Sequence, residues 1–208
     1  MSIVTLNNRG VRSVSAFGAL NTGSMVFIKK LTASSSATLS FVNGSSDVVL
    51  DSTYKEYVFY FKNIHAATLR AKFTVGFRDG DTDYDAVKTT SSFYSYHNED
   101  GSAAAVGYTT GSDIAQGTGF KNISTNLNNG NDDSFSGYMH LFNPSSTTFV
   151  KHFITRGNTS YVSSGGTVAS EEDYQAGYCN TTTAIDAVQF KMESGNIDAG
   201  DICLYGIK

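Results

Sequence analysis

Hydrophobic and polar residues alternate along most of the chain, most clearly in YKEYVFYFKNI, residues 54–64. Successive side chains of a β-strand point to opposite faces, so Tyr57, Phe59 and Phe61 would share one face. Tyr60 would lie on the other face. Because both faces carry large groups, the pattern predicts a central strand of a sheet.

The same period of two recurs in other segments, and clusters of Gly, Asn and Asp such as NGSSD and NLNNGNDD predict turns between them. The further predicted strands are residues 24–31, 37–42, 71–77, 91–97, 137–142, 147–154, 186–192 and 201–207. Short helices are predicted only at residues 112–116 and 169–175. Many short strands separated by turns predict an all-β fold, an antiparallel two-sheet β-sandwich of jelly-roll type.

The inward positions of the alternating strands predict the hydrophobic core. These positions are Phe27, Leu39, Phe41, Phe59, Phe61, Phe73, Val75, Phe142, Phe149, Phe190 and Leu204. No linker interrupts the pattern, so we expect one β-sandwich domain with long polar loops over residues 1–208. Residues 1–20 are a candidate N-terminal docking strand or arm.

Composition narrows the class of protein. Of 208 residues only 16% are charged, and the aromatic residues are 12 Tyr and 14 Phe without Trp, which excludes a coiled coil or helical bundle. The net charge is −4 and no run of Lys or Arg occurs, so we expect no nucleic-acid partner. No stretch approaches the roughly 20 apolar residues of a membrane helix, and the start lacks the apolar segment of a signal peptide, so we expect no membrane insertion.

The two cysteines, Cys179 and Cys203, are too few for a disulfide framework or a zinc site. We interpret them as buried thiols, with a mutual disulfide as the alternative.

The densest acidic segment, RDGDTDYD, places Asp79, Asp81, Asp83 and Asp85 on alternate positions after a strand. Carboxylates at this spacing can converge on calcium, which takes six to eight oxygen ligands. The EF-hand pattern fails, since Ala86 stands where that loop needs glycine. We therefore interpret the segment as a solvated acidic turn and expect no cofactor, with a structural calcium site as the alternative. The loop NLNNGNDD is a weaker candidate of the same kind.

The histidines, His65, His97, His140 and His152, show no metal-site spacing. His140 and His152 fall on adjacent strands of one predicted hairpin and would be able to face each other. We interpret them instead as partly exposed strand positions.

The sequence has no GxSxG elbow and no glycine-rich phosphate loop. Two acidic pairs are candidates for glycoside hydrolysis with another acid, Glu171 with Glu172 and Glu99 with Asp100. Neighbours on a loop are weak evidence for that chemistry. We therefore predict that the chain is not an enzyme.

Several segments carry a resemblance to a known group, among them STYKEYVFYFKNIHAAT, GYMHLFNPSSTTFVKHFI and the ending SGNIDAGDICLYGI. Across nearly its whole length the chain resembles small β-sandwich virion proteins encoded by tailed, mostly marine, bacteriophages. The ending is the most specific piece. The resemblance implies a jelly-roll fold and a place in the virion, and it implies no catalytic residues.

Long tail fibres need heptads or an intertwined repeat, and this sequence has neither. We therefore expect a capsid decoration (cement) protein or a small tail-attached module on the particle exterior. Its partners would be further copies of itself, as a homo-oligomer, and other capsid or tail proteins. Assembly would take place in the host cytoplasm and the protein would end in the virion.

The alternative is a carbohydrate-binding or receptor-binding jelly-roll module that attaches a particle or an enzyme to a host-surface glycan. The candidate glycan or interface residues are Tyr94, Tyr96, Tyr108 and Tyr138. Strands with aromatic residues on both faces also predict self-association, since one sandwich buries only one face of each sheet.

Overall fold

A computed structural model describes residues 24–208 of the chain. The N-terminal arm predicted for residues 1–20 lies outside the described residues. Within residues 24–208, no helix is both long and apolar enough to span a membrane.

Twelve strands form two antiparallel sheets that pack face to face, which confirms the predicted all-β sandwich. The strands are β1 (Met25–Ser36), β2 (Leu39–Val42), β3 (Glu56–Ala66), β4 (Phe73–Arg78), β5 (Lys88–Asn98), β6 (Ala104–Tyr108), β7 (Lys121–Asn122), β8 (Phe135–Phe142), β9 (Lys151–Val162), β10 (Val168–Cys179), β11 (Ala187–Met192) and β12 (Ile197–Ile207). The eight-stranded sheet has the order β1-β12-β3-β8-β9-β10-β5-β6, and the four-stranded sheet has the order β2-β11-β4-β7.

All nine predicted strands are present, and the central place of β3 is confirmed, since it pairs with β12 on one side and β8 on the other. The helix predicted at residues 169–175 is wrong, because this segment lies within β10. Its Glu and Ala residues favour a helix locally, but pairing with β9 and β5 on both sides outweighs that preference. The helix predicted at residues 112–116 reduces to one 3-10 turn, Thr110–Ser112.

An aromatic core fills the space between the four-stranded sheet and the centre of the eight-stranded one. Phe59 and Phe61 of β3 contact Phe190 of β11, with ring centroids 5.4 and 5.2 Å apart. Phe41 packs edge-on against Phe59 at 5.3 Å. The structure confirms as buried the predicted core residues Leu39, Phe41, Phe59, Phe61, Phe73, Val75, Phe190 and Leu204.

The predicted inward position of Phe27 is wrong, because the register of β1 shifts between Phe27 and Lys29. A bulge of this kind reverses the alternation of faces. Phe27 consequently lies on the outer face of the large sheet, 56% exposed, with its ring 5.5 Å from that of Tyr205.

Phe142 and Phe149 are also wrongly predicted as core residues. Leu141 is the last inward residue of β8, so Phe142 points outward, half-buried, and stacks on His140 at 6.1 Å. Phe149 is 68% exposed. It lies in the loop before β9, which begins at Lys151 rather than at residue 147.

The eight-stranded sheet is wider than its partner, and the connection between β6 and β8 packs over the inner face of β9, β10 and β5. At one end of this connection the Thr90 N–H donates to the Ile114 carbonyl at 2.8 Å. At the other end the Asn128 N–H donates to the Ser160 carbonyl at 2.8 Å. The sandwich therefore has one part covered by a second sheet and another part covered by a loop.

Candidate functional site

One side chain from each strand of the eight-stranded sheet lines up across its outer face, and we call this set the outer row. It consists of Phe27, Tyr205, Tyr60, Tyr138, Arg156, Tyr174, Phe93 and Tyr108. From Tyr60 to Tyr108 each member is the direct cross-strand partner of the next. Tyr205 joins the row diagonally, with its ring centroid 5.7 Å from that of Tyr60. Cross-strand neighbours on one face are close enough to interact, so each side chain of the outer row lies beside the next one.

The middle of the outer row is built from rings and one guanidinium group. Tyr60 and Tyr138 have ring centroids 6.3 Å apart. The Arg156 guanidinium lies 5.0 Å from the centre of the Tyr174 ring, a cation–π arrangement. Tyr174 in turn stacks on Phe93 at 4.6 Å with nearly parallel planes.

Charges on the outer face are paired within it. The Arg156 Nε–H donates to Glu172 at 2.5 Å, and the Tyr174 hydroxyl donates to the same carboxylate at 2.7 Å. The Tyr174 and Arg156 bonds lower the pKa of Glu172. His140 contacts Glu56, and Lys30 pairs with Asp201 at 3.2 Å. The face is therefore close to neutral and rich in aromatic surface.

Several apolar side chains on this face remain in contact with solvent. Phe93 is 49% exposed, Tyr108 58% and Ile154, beside the row on β9, 48%. Exposed apolar groups that lie together on one face mark interaction surfaces more often than isolated ones do. The outer face is therefore a candidate interface.

A second candidate site lies on the inner face of the same sheet, and we call it the tyrosine cleft. It is a cavity of about 540 Å³ between β5, β9, β10 and the connection that follows β6. Its lining includes Tyr94, Tyr96, Tyr161, Glu171, Asn126 and Lys72. The rings of Tyr94 and Tyr96, two residues apart on β5, stack with centroids 6.1 Å apart.

Glu171 lies in the wall of the tyrosine cleft and is itself buried. Burial raises the pKa of its carboxyl group. Burial and the nearby Glu171 carboxylate raise the pKa of Tyr161, and Tyr94 and Tyr96 are close enough to add to the effect. One carboxyl group and three phenol groups therefore share one small volume.

A glycine makes room for one of the cleft tyrosines. Gly107 on β6 is the cross-strand partner of Tyr94, and a Cβ added there would lie 2.6 Å from the Tyr94 hydroxyl. A Cβ does not tolerate that distance, so glycine at position 107 leaves the space that the Tyr94 ring occupies.

Buried polar groups behind the cleft hold its wall. Asp173 accepts hydrogen bonds from the Thr159 hydroxyl at 2.9 Å and the Thr125 N–H at 3.2 Å, and burial raises the pKa of Asp173 to about 7. The Lys121 ammonium donates to the Ser92 hydroxyl at 2.6 Å and to the carbonyl of the 3-10 turn at 2.5 Å. Burial lowers the pKa of Lys121 to about 8. These contacts tie the connection to the inner face of the sheet.

The four tyrosines predicted as glycan or interface residues divide between the two sites. Tyr94 and Tyr96 meet in the tyrosine cleft, whereas Tyr108 and Tyr138 belong to the outer row on the opposite face. The sequence reasoning missed Tyr161. It lies inward at the end of β9, and the sequence gives no clear signal for it, because Lys151, Thr155 and Thr159 also point inward on this strand.

The structure places the two acidic pairs considered for glycoside hydrolysis differently. Consecutive residues of a strand face opposite ways, so Glu171 points into the sandwich and Glu172 points out toward Arg156. Glu99 and Asp100 are both exposed in the turn after β5.

Three of the four aspartates after β4 come together. Oxygen atoms of Asp79, Asp81 and Asp85 lie within 4.8 Å of one another, and Asp83 is outside this group. The Asp83 N–H donates to the Asp81 carboxylate at 2.9 Å, which closes a tight turn. The turn geometry accounts for the loop, and a calcium site there stays a prediction.

The two strand histidines do not face each other. The cross-strand partner of His140 is Ile154, and His152 lies beside Tyr178 of β10. Both cysteines are free thiols and buried, as favoured from the sequence. Burial raises the pKa of the Cys179 thiol to about 12.

Searches of protein-family models, of curated proteins and of solved structures give no match to this chain. The class of protein is therefore defined by its fold, an antiparallel β-sandwich with one eight-stranded and one four-stranded sheet.

Proposed function

We propose that this chain is a non-enzymatic structural protein of a tailed-bacteriophage virion, carried on the particle exterior as a capsid decoration protein or a small tail-attached module. The virion setting rests on the sequence resemblance. The observation that supports a function through contacts is the outer row, an aromatic line across all eight strands of the large sheet.

The partner that we assign to the outer face is a second copy of the same chain. Eight strands spaced about 4.8 Å apart make a face roughly 34 Å wide, and strands of about eight residues give it a length of roughly 26 Å. That is an area of roughly 900 Å², whereas a standard interface takes about 800 Å² from each partner. The face is thus large enough for a stable dimer.

Charge also favours a symmetric contact. The ion pairs of the outer face, such as Arg156 with Glu172, leave little net charge to repel an identical face. A twofold axis would place the outer row of one copy against that of the other, so each exposed ring would meet a ring. Aromatic residues and Arg are the types enriched at such contacts.

The test is the oligomeric state of the protein, measured by light scattering after size exclusion and by sedimentation velocity. We expect an oligomer, and we expect F93D to dissociate it because an unpaired carboxylate would be buried within the contact. F149D is the matched control, since Phe149 is also an exposed ring, at 68% against 49% for Phe93, but lies in the loop before β9 and not in the outer row. It should leave the oligomer intact, with the same circular dichroism for all three proteins.

A monomeric wild-type protein at all concentrations would contradict the interface, as would equal effects of both variants. The virion setting has its own test, mass spectrometry of particles purified from lysates of the phage that encodes the chain. Absence of the protein from those particles would overturn that part of the proposal.

A further inference from the structure

We propose that the tyrosine cleft is a binding site for a neutral glycan. The site is on the inner face of the large sheet, opposite the outer row, so it goes beyond the proposed interface and does not depend on it. Its volume, about 540 Å³, lies within the range of about 300 to 1,000 Å³ that is typical of small-molecule sites.

The first argument is the kind of surface that the cleft presents. Tyr94 and Tyr96 stack side by side, and Tyr161 adds a third ring from β9. A sugar ring has apolar C–H faces and a polar edge, and tyrosine likewise combines an apolar ring with a polar tip. Rings in the wall of an open cleft are therefore suited to pack against the faces of a short oligosaccharide.

The second argument is the supply of unused hydrogen-bonding groups. Within residues 24–208, the hydroxyls of Tyr94, Tyr96 and Tyr161 and the side-chain amide of Asn126 make no hydrogen bond to another residue. Each hydroxyl both donates and accepts, and the amide does so through two atoms. A ligand dense in hydroxyl groups is the partner that matches this set.

The third argument is charge, which separates neutral from acidic sugars. Glu171 contributes a carboxyl group to the wall, and the carboxyl of Asp173 lies behind it. Lys72 is the cation that lines the cleft, and its ammonium group lies 3.5 Å from Glu193. Arg70 is near enough to Tyr161 to oppose the rise in its pKa, but it does not line the cleft, whereas Glu171 does. An uncharged sugar is therefore favoured over a uronate or sialate.

The fourth argument is that the cleft is formed before any ligand arrives. Thr125 is tied to Asp173, and Lys121 is tied to Ser92, so the connection cannot collapse into the cavity without breaking buried polar contacts. A preformed wall lowers the entropy lost on binding.

The test is an array of neutral cello-, malto-, manno- and chito-oligosaccharides together with acidic alginate and hyaluronan fragments. Isothermal titration then follows with the best-bound neutral oligosaccharide. We expect binding of at least one neutral series, and we expect Y96A to weaken it at least tenfold and N126A severalfold. Y96F keeps the ring and removes only the hydroxyl, so it should lose less affinity than Y96A.

The matched control is Y138A, which removes a tyrosine from the outer row on the opposite face and should leave sugar affinity unchanged. Circular dichroism checks that every variant is folded. Binding of no sugar, binding of acidic fragments only, or equal loss with Y96A and Y138A would each overturn the proposal. Inhibition of sugar binding by choline rather than by free neutral sugar would assign the cleft to an organic cation and would also overturn it. None of these results bears on the oligomeric state, so the two proposals fail separately.

Discussion

The two parts of the sandwich interior differ in what covers the large sheet. Where the four-stranded sheet covers it, the interior is a cluster of phenylalanines around Phe59 and Phe190. Where the connection after β6 covers it, the interior holds Lys121, Asp173 and Gln175. Both parts are equally buried, yet one is apolar and the other is polar.

The difference shows how backbone hydrogen bonding decides interior chemistry. A strand of a second sheet satisfies its own N–H and C=O groups by pairing, so apolar side chains can fill the space below it. A loop leaves carbonyl groups unpaired, and long polar side chains from the large sheet must reach them. Lys88 does this for two of them, donating to the carbonyls of Thr118 at 3.0 Å and Gly119 at 2.9 Å.

The largest effect is expected in the aromatic part. F59A removes a fully buried ring that contacts two others, and we expect it to lower the free energy of unfolding by roughly 3 to 5 kcal/mol. F149A is the control, since its ring is exposed, and surface changes of that kind stay within roughly 0.5 kcal/mol. Urea denaturation measures both. Similar values for the two variants would contradict the assignment of this core.

In the polar part, the buried carboxyl group of Asp173 should make the free energy of unfolding depend on pH. Burial raises the pKa of Asp173 from 3.8 to about 7, so the folded protein keeps a proton that the unfolded chain releases. The stability from this group is fully present below about pH 4 and is lost as the pH rises toward about 7, at about 1.4 kcal/mol per pH unit at most.

D173N should therefore flatten the fall in unfolding free energy between pH 4 and pH 7, measured by urea denaturation at a series of pH values. The amide oxygen can still accept the bond from Thr159, so the fold should persist. Burial also raises the pKa of Glu171, so D173N should keep a smaller dependence of the unfolding free energy on pH. D81N, at an exposed carboxyl group, is the control. An unchanged slope in D173N would show that Asp173 titrates as an exposed group does.

A smaller effect is expected from removing one polar tie. The Lys151 ammonium donates to the carbonyls of Thr181 at 3.0 Å and Thr183 at 2.6 Å. K151M keeps the stem and leaves both carbonyls without this donor, which should cost about 1 to 3 kcal/mol.

Hydrogen exchange should also become faster in residues 181–185 of this variant. K30M is the control, since the exposed pair with Asp201 contributes at most about 1 kcal/mol. Unchanged exchange and stability in K151M would mean that the loop is held by its own turn alone.

The sequence predicts the aromatic part well and the polar part poorly. Alternation around Phe59 marks both the strand and its inward face, because burial and period agree there. In β10 the inward residues are Glu171, Asp173 and Gln175. Polar side chains usually point to solvent, and here they point into the sandwich. In residues 169–175 the alternation of side chains indicates a strand, whereas the Glu and Ala residues favour a helix. The strand forms because β10 pairs with β9 on one side and with β5 on the other.

One local irregularity accounts for the error at Phe27. The bulge after Phe27 reverses the faces of β1, and nothing in the local sequence marks it. The sequence predicts the four candidate tyrosines as one set, but their division between two faces depends on the register of β5 with β6 and of β8 with β3. Register is set by long-range pairing, which one sequence does not display.

The reactivity of the buried lysines can be used to measure loop opening. Lys88, Lys121 and Lys151 are fully buried, and each holds a surface loop from below. An amine-reactive acylating reagent modifies only lysines that it can reach, so these positions stay unlabelled while their loops are closed. At reagent concentrations where acylation is faster than reclosing, the rate at which each lysine becomes acylated, followed by peptide mass, gives the opening rate of the loop above it without any change to the sequence.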